Sequence, residues 1–423
     1  MSESTIPAGR QWADTARTEN AVSLALFLSL ATALLLRFFV SSEIVNRVFD
    51  YTSDTGPFYE KLHPGTYAVF LLAPVVLLSR PFFLNAWEVG RFRSLLRFVA
   101  LLVALVLYLV LTGKPGSSGF IIDTYVLASV AGLAMLALNE GYRRALGNIT
   151  LGMLTLSGVI GIFEAITKHR LLPYDLVELS FRPTGLSDHP LTLGAMCVVA
   201  IGFVPLTRWR VWVKVTMIFV LLIAAVASGA RFSLLASIGE ALLMLLFLRW
   251  PGLNRSQARR AKAIVLVFVT VVGSALAALL FAAGLLSRFG STLFDENFMA
   301  RVSIYEIFNY VSLNDILFGM RGDILLGLVN GELGLPAIES APVTVVLLLG
   351  LPLAIAFSGL IVWIVYKLLK GSPLAAWIAA AGFMAAALSN NMLSTKTPMV
   401  AIFVVLLIAF AIPTSRRVAD DLR

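Results

Sequence analysis

The chain returns repeatedly to apolar runs of about 20 residues, the length an α-helix needs to cross a bilayer. The first is Ala21–Val40. Others fall near 66–79, 95–113, 119–138, 149–167, 191–207, 211–228, 233–250, 263–287, 342–366, 373–393 and 398–412, twelve in all. In lipid every backbone N–H and C=O must be paired internally, so these runs predict helices. An outer-membrane barrel would show short alternating segments instead, and none are visible. Only 13% of the residues are charged and 59% are hydrophobic, against about 25% charged in a soluble domain. The fold class expected is therefore an all-α polytopic membrane protein. Residues 1–20 and 413–423 read as polar tails, and 21–412 as a single membrane domain without internal repeats. Ala31-Thr32-Ala33 resembles a signal-peptidase site, but the apolar run continues through Phe38–Val40, which predicts an uncleaved first helix.

Orientation follows from the basic residues. With the loops numbered alternately from a cytoplasmic N-terminus, 21 of the 33 lysines and arginines fall on the cytoplasmic side. Of the 24 acids, 16 fall on the other. The bias runs through nearly every loop, as the positive-inside rule requires, and places both termini in the cytoplasm. It also accounts for the net charge of +9 without nucleic acid. His63, His169 and His189 all fall outside.

The longest stretch without a clear spanning run is 288–341, between the ninth and tenth runs, and it faces outward. Compact connections are mostly shorter than about 12–15 residues, so a loop of this length suggests function. It carries Arg301-Val-Ser-Ile-Tyr305, Arg321 and the terminal Glu339-Ser340. Two shorter polar stretches share its side: Ser180-Phe-Arg-Pro-Thr-Gly-Leu-Ser-Asp-His-Pro190, which holds Arg182 and His189, and the short hairpin Ala227-Ser-Gly-Ala-Arg-Phe232. Arg231 must sit at or slightly inside the membrane surface. An arginine there either snorkels, pairs with a carboxylate such as Glu339, or serves an anion; guanidinium forks suit phosphate oxygens. Arg301 joined to Arg231 would make a pyrophosphate clamp. Asp188 reads as a helix N-cap with Pro190 in the first turn. Glu339 precedes a helix opened by Pro342, where the helix dipole favours a charged carboxylate.

Other polar residues have structural readings of equal weight. Glu240 lies mid-span, where a carboxylate is costly; a hydrogen bond to Ser233 or Ser237 would satisfy it. Asn390 and Asn391 either line a polar cavity or pack helices. Cys197, the single cysteine, reads as a small buried side chain. No His/Cys cluster, Asp-x-Asp or glycine-rich phosphate loop is present, so neither a metal nor a nucleotide cofactor is expected.

The stretches FRPTGLSDHPLTLG (181–194), SGARFSLLA (228–236), RVSIY (301–305), DILFGMRGD (315–323) and ESAPVTVVLLLGLPL (339–353), in this order and on one side, resemble the O-antigen ligase and Wzy-type polymerase family of bacterial inner membranes. KLHPGTY (61–67) is similar to a segment of exopolysaccharide relatives. The resemblance implies a GT-C-like fold of about twelve transmembrane helices with a long periplasmic loop. It implies metal-independent, inverting glycosyl transfer on the periplasmic face, without a cofactor. The donor would be an undecaprenyl-pyrophosphate-linked oligosaccharide, drawn from the lipid bilayer and joined to a glycan acceptor, with polysaccharide assembly proteins as partners. Arg231 and Arg301 match the family arginines that hold the pyrophosphate. Arg182, His189, Tyr305 and Arg321 would contact substrate. The family's base is a histidine, followed by Asn, Ser or Gln, nine residues and a glycine; here Glu339, Ser340, nine residues and Gly350 occupy that frame. Glutamate in place of histidine favours a polymerase of O-antigen or exopolysaccharide repeat units over a ligase acting on lipid A core. A lipid-linked glycan flippase is the alternative from a different class.

Overall fold

The computed structural model describes residues 8–52, 61–174, 181–248, 254–282, 302–335, 338 and 340–413, with the backbone alone for 8–19 and parts of 268–282. Among the described residues every apolar run of the sequence forms helix, and there is no strand. In chain order the helices are α1 Ala8–Phe39, α2 Ser42–Asn46, α3 Pro64–Leu78, α4 Ala86–Leu111, α5 Pro115–Ala137, α6 Glu140–Thr167, α7 Pro190–Leu206 and α8 Val211–Ala227. They continue with α9 Arg231–Phe247, α10 Arg255–Ala282, α11 Leu313–Phe318, α12 Gly322–Glu332, α13 Ala341–Leu349, α14 Leu351–Leu369, α15 Leu374–Leu388 and α16 Met399–Phe410. Asn20–Phe39 of α1, together with α4, α5, α6 and α14, is long and apolar enough to cross a membrane. Outward faces of these and of shorter helices keep bare leucines: Leu71 is 74% exposed, Leu78 84% and Leu111 85%. Faces of this kind suit hydrocarbon rather than water.

One expected span is two helices. The run 342–366 breaks at Gly350, whose φ of +85° ends α13 and starts α14 with Pro352 in its first turn. The backbone of 317–319 fills the break: a Cβ on Gly350 would lie 2.4 Å from the Leu317 carbonyl oxygen. Glycine is needed there both for its φ and for the missing side chain.

α16 is the central strut. All of its residues except Val400 are buried, and it packs on α5, α6 and α7. Gly147 of α6 allows the approach, since a Cβ there would come within 2.5 Å of the Ala409 Cβ. Small residues at such crossings let backbones close, which is how apolar helices associate in lipid.

Charged residues gather at the two ends of the bundle. At one end the Asn85–Glu88 capping box starts α4, and Glu88 pairs with Arg143 at 2.6 Å. Arg91, 1% exposed, donates to the carbonyl of Leu368, to Ser372 Oγ at 3.0 Å and to the Ala411 carbonyl at 3.0 Å. A guanidinium there satisfies carbonyls that α14 and α16 leave open at their C-termini. The opposite end, called the loop end below, carries residues 37–52, 61–66, 164–174, 181–190, 228–231 and 389–398. Gly147→Ala should lower the unfolding midpoint in detergent. Gly152→Ala on the same helix, where nothing lies within 4 Å, should leave it unchanged or raise stability by about 0.5–1 kcal/mol.

Candidate functional site

Glu164 builds the loop end. It lies one turn before the end of α6, fully buried, and Lys168 turns the chain back with φ +56°. The carboxylate accepts three backbone N–H groups: Leu171 at 2.9 Å, Thr184 at 2.8 Å and Gly185 at 2.9 Å. Ser157 Oγ, one face-repeat earlier on α6, accepts the Leu186 N–H at 3.0 Å. Gly185 has φ +58°, and a Cβ there would lie 2.4 Å from the Ser157 carbonyl oxygen. The sequence FRPTGLSDHP is thus folded onto α6 by a buried acid and a glycine. Sequence reasoning missed Glu164; its signal was an acid inside an apolar run, which must find donors.

This loop sets out the basic residues. Arg170 donates to the Arg182 carbonyl at 2.9 and 3.1 Å, and its guanidinium lies 4.0 Å from the Tyr174 ring centre and 4.9 Å from that of Phe181. Arg182 Nε in turn donates to the Ser228 carbonyl at 3.1 Å. That bond joins the 181–190 stretch to the 227–232 hairpin. Arg231 is the first residue of α9 and half-buried. A Cβ on Gly194 would meet the Ala230 Cβ at 2.7 Å, and one on Gly202 would meet Glu240 Oε1 at 2.2 Å. These contacts run in step, so α7 and α9 are parallel and begin side by side at the loop end. Two helix N-termini, each a positive dipole end, lie next to Arg182 and Arg231.

The α7 cap differs from expectation. His189 holds the N-cap position, accepting the Leu191 N–H on Nδ1 at 3.1 Å. Asp188 sits one residue too far out for that role and accepts from Ser42 Oγ at 3.1 Å. The His189 ring lies 6.2 Å from that of Tyr174. Tyr305 is exposed, on a 3-10 turn held by buried Ile304 and Ile307. Arg321 starts α12 at the surface and pairs with Asp323 at 2.7 Å; the Arg321 hydrogen bond holds the Asp323 carboxyl below the usual carboxylate range. Arg301 and Glu339 lie outside the described residues. Beside Glu339, the Ile338 carbonyl accepts from Asn391 Nδ2 at 3.2 Å, and Ser340 is the α13 N-cap. Asn390 Oδ1 accepts the Met392 N–H at 2.9 Å, so Asn390 binds local backbone while Asn391 ties the 389–398 turn to the segment before α13.

Glu240 is also corrected. Neither carboxylate oxygen has a hydrogen-bond partner among the described residues, nor does Ser237 Oγ. The acid occupies a notch between Gly202 of α7 and Gly382 of α15. Ser233 and Ser237 lie on the same helix, and the glycine notch draws the carboxylate away from them. Cys197 is buried, as expected.

A second buried cluster stands at the loop end, unforeseen in the sequence. Arg37 pairs with Asp123 at 3.1 Å, both buried, and Tyr51 and Thr66 donate their hydroxyls to the same carboxylate. Lys396 Nζ donates to the Tyr51 carbonyl at 2.7 Å. The KLHPGTY stretch supplies Thr66 and His63, whose Nδ1 accepts the Gly65 N–H at 3.0 Å and whose Nε2 lies 3.1 Å from the Val40 carbonyl. Burial, and then Arg37, pull the His63 pKa down to about 4. Asp188, through Ser42, connects this cluster to the 181–190 loop. An apolar void of about 30 Å³ between α4, α5, α14, α15 and α16 includes none of the candidate residues. Among the described residues no group of three or more His, Cys, Asp or Glu is placed to hold a metal.

Comparison with models of known families and with curated proteins finds no match for this chain.

Two predictions follow from hydrogen bonds at this end. Each bond to a charged acceptor contributes about 1.5–3 kcal/mol. In Glu164→Gln the Thr184 and Gly185 amides should therefore exchange with deuterium at least tenfold faster, while amides of α16 are unchanged. The lowered His63 pKa means that, between pH 6.5 and about 4, the unfolded chain binds a proton the folded chain does not. Stability present at neutral pH is lost across that window as pH falls. His63→Asn keeps a capping oxygen and should flatten this part of the melting-temperature profile.

Proposed function

We propose that the chain is a glycosyltransferase of the O-antigen and exopolysaccharide polymerase type, acting on undecaprenyl-pyrophosphate-linked glycans. The observation that carries the reading is the convergence of Arg182 and Arg231 on two parallel helix N-termini, held by the Arg182–Ser228 bond. Positive ends and guanidinium groups at one point suit a pyrophosphate leaving group. In this reading all twelve apolar segments cross the inner membrane in a GT-C-like arrangement, both termini are cytoplasmic, and the loop end is periplasmic. An acceptor hydroxyl oxygen attacks the anomeric carbon of the donor as its bond to the pyrophosphate oxygen breaks, inverting that centre. Glu339 takes the hydroxyl proton. The pyrophosphate leaves on its lipid, its developing charge held by Arg231 and Arg301. His189, Tyr305 and Arg321 would bind the glycan from the loop and α12.

Glu240 favours one other reading. A carboxylate with no hydrogen-bond partner among the described residues, mid-way along α9, is what a proton-coupled glycan flippase would use. The break between α13 and α14 would suit it too.

The purified protein, given a lipid-pyrophosphate-linked repeat unit, should make a ladder of longer glycans. Loss of a donor to a developing anion typically lowers turnover by about 10²–10³. Arg231→Ala and Arg301→Ala should fall in that range, and Glu339→Gln should lose the proton acceptor and the ladder with it. Transfer only after adding lipid A core would make it a ligase. Neither product, with the lipid still bound and moved between leaflets of proteoliposomes, would overturn the enzyme reading in favour of the flippase.

A further inference from the structure

The segment 310–318 keeps large apolar groups in the open although it is firmly held. Leu313 is 71% exposed, Phe318 60%, Tyr310 50% and Leu317 37%. Leu313 and Leu317 are four residues apart on α11 and share a face. A solvated loop would be free to turn such groups inward, but this backbone is pinned. Ser312 and Asp315 form a capping box at the start of α11. Lys114 Nζ, from beyond the end of α4, donates to the Phe318 carbonyl and to that of Gly319 at 2.7 Å. The Met320 N–H donates to the Leu347 carbonyl at 2.7 Å. Gly319 and Gly350, both at positive φ, bring their backbones into direct contact.

The pinning places the apolar patch beside two helices already fitted to hydrocarbon. Lys114 follows the last turns of α4, where Leu107 is 56% and Leu111 85% exposed. Gly350 precedes Leu351 and Ile355 of α14, the latter 65% exposed. Both helices are among those long and apolar enough to span. The patch therefore continues their bare faces around the corner at the loop end. Its polar companions, Asn314, Asp315, Arg321 and Asp323, and the tyrosine at its edge complete the pattern of a helix lying in the headgroup boundary.

We propose that Tyr310, Leu313, Leu317 and Phe318 form an interfacial anchor, seated in the acyl-chain boundary of the bilayer leaflet at the loop end. The anchor fixes the height of α11 and α12 relative to the lipid. It stands independently of the glycosyl-transfer reading. The partner it fits is the lipid surface; a second copy of this chain is the competing occupant.

The single native cysteine is fully buried, so a nitroxide can be directed to Phe318→Cys or Leu313→Cys with the full chain in lipid nanodiscs. The expected result is relaxation by oxygen and loss of relaxation by a water-soluble nickel chelate at both positions, as at a Leu111→Cys control. Asn330→Cys on the exposed side of α12 should show the reverse. Nickel relaxation at 313 and 318 equal to that at 330 would overturn the proposal. So would dipolar broadening that disappears when labelled chains are diluted with unlabelled ones, since a second copy would then cover the patch. If a label disturbs the segment, the fluorescence added by Phe318→Trp gives the same reading. Quenching by lipids brominated along their chains supports the anchor, and quenching by aqueous iodide alone refutes it.

Discussion

A carboxylate that cannot reach water must find donors, and at Glu164 the donors are the amides of the loop it organises. Leu171 comes from one turn of backbone and Thr184 and Gly185 from another, yet they close on one side chain. Everything at the loop end inherits its position from that closure. Arg170 reaches the Arg182 carbonyl only because 182–185 is folded back on α6. Arg182 reaches the hairpin before α9 only because its own backbone is fixed. The desolvation of one acid thus propagates into the placement of two arginines.

The same physics recurs wherever a charge is buried. Asp123 collects Arg37, Tyr51 and Thr66 and so joins α1, α3 and α5. Arg91 gathers the C-terminal ends of α14 and α16. Apolar faces give these helices little reason to choose one neighbour over another in lipid. Paired and hydrogen-bonded charges supply the register. Glu240 is the exception: it is enclosed by two glycines, and its carboxylate has no hydrogen-bond partner among the described residues.

The helices were legible in the sequence because lipid leaves a chain few options, and each apolar run became helix close to where it was expected. What periodicity could not show was a break within a run. The one at Gly350 depends on a glycine conformation and on backbone from residues 317–319, which is far off in the chain. The sequence paired Arg231 with Arg301, which lies outside the described residues, and did not join Arg231 to Arg182. Arg182 and Arg231 flank separate helices, and hydropathy placed them at one end, but their connection runs through a backbone carbonyl that no side-chain pattern reveals. Glu164 and Asp123 were passed over because their donors are backbone amides and side chains from other segments, which no local pattern around the acid reveals. A different error occurred at Asp188, where proline's missing N–H shifts the capping role to the residue next to it.

The central position of α16 bears on how the chain is made. Synthesis proceeds from the N-terminus, so α5 and α6 enter the membrane with the faces around Gly132 and Gly147 open and their partner more than 250 residues away. The Tyr51 carbonyl and Arg91 likewise wait for Lys396 and Ala411. The contacts that α16 makes with α5 and α6 at these glycines can therefore form only after more than 250 further residues have followed them.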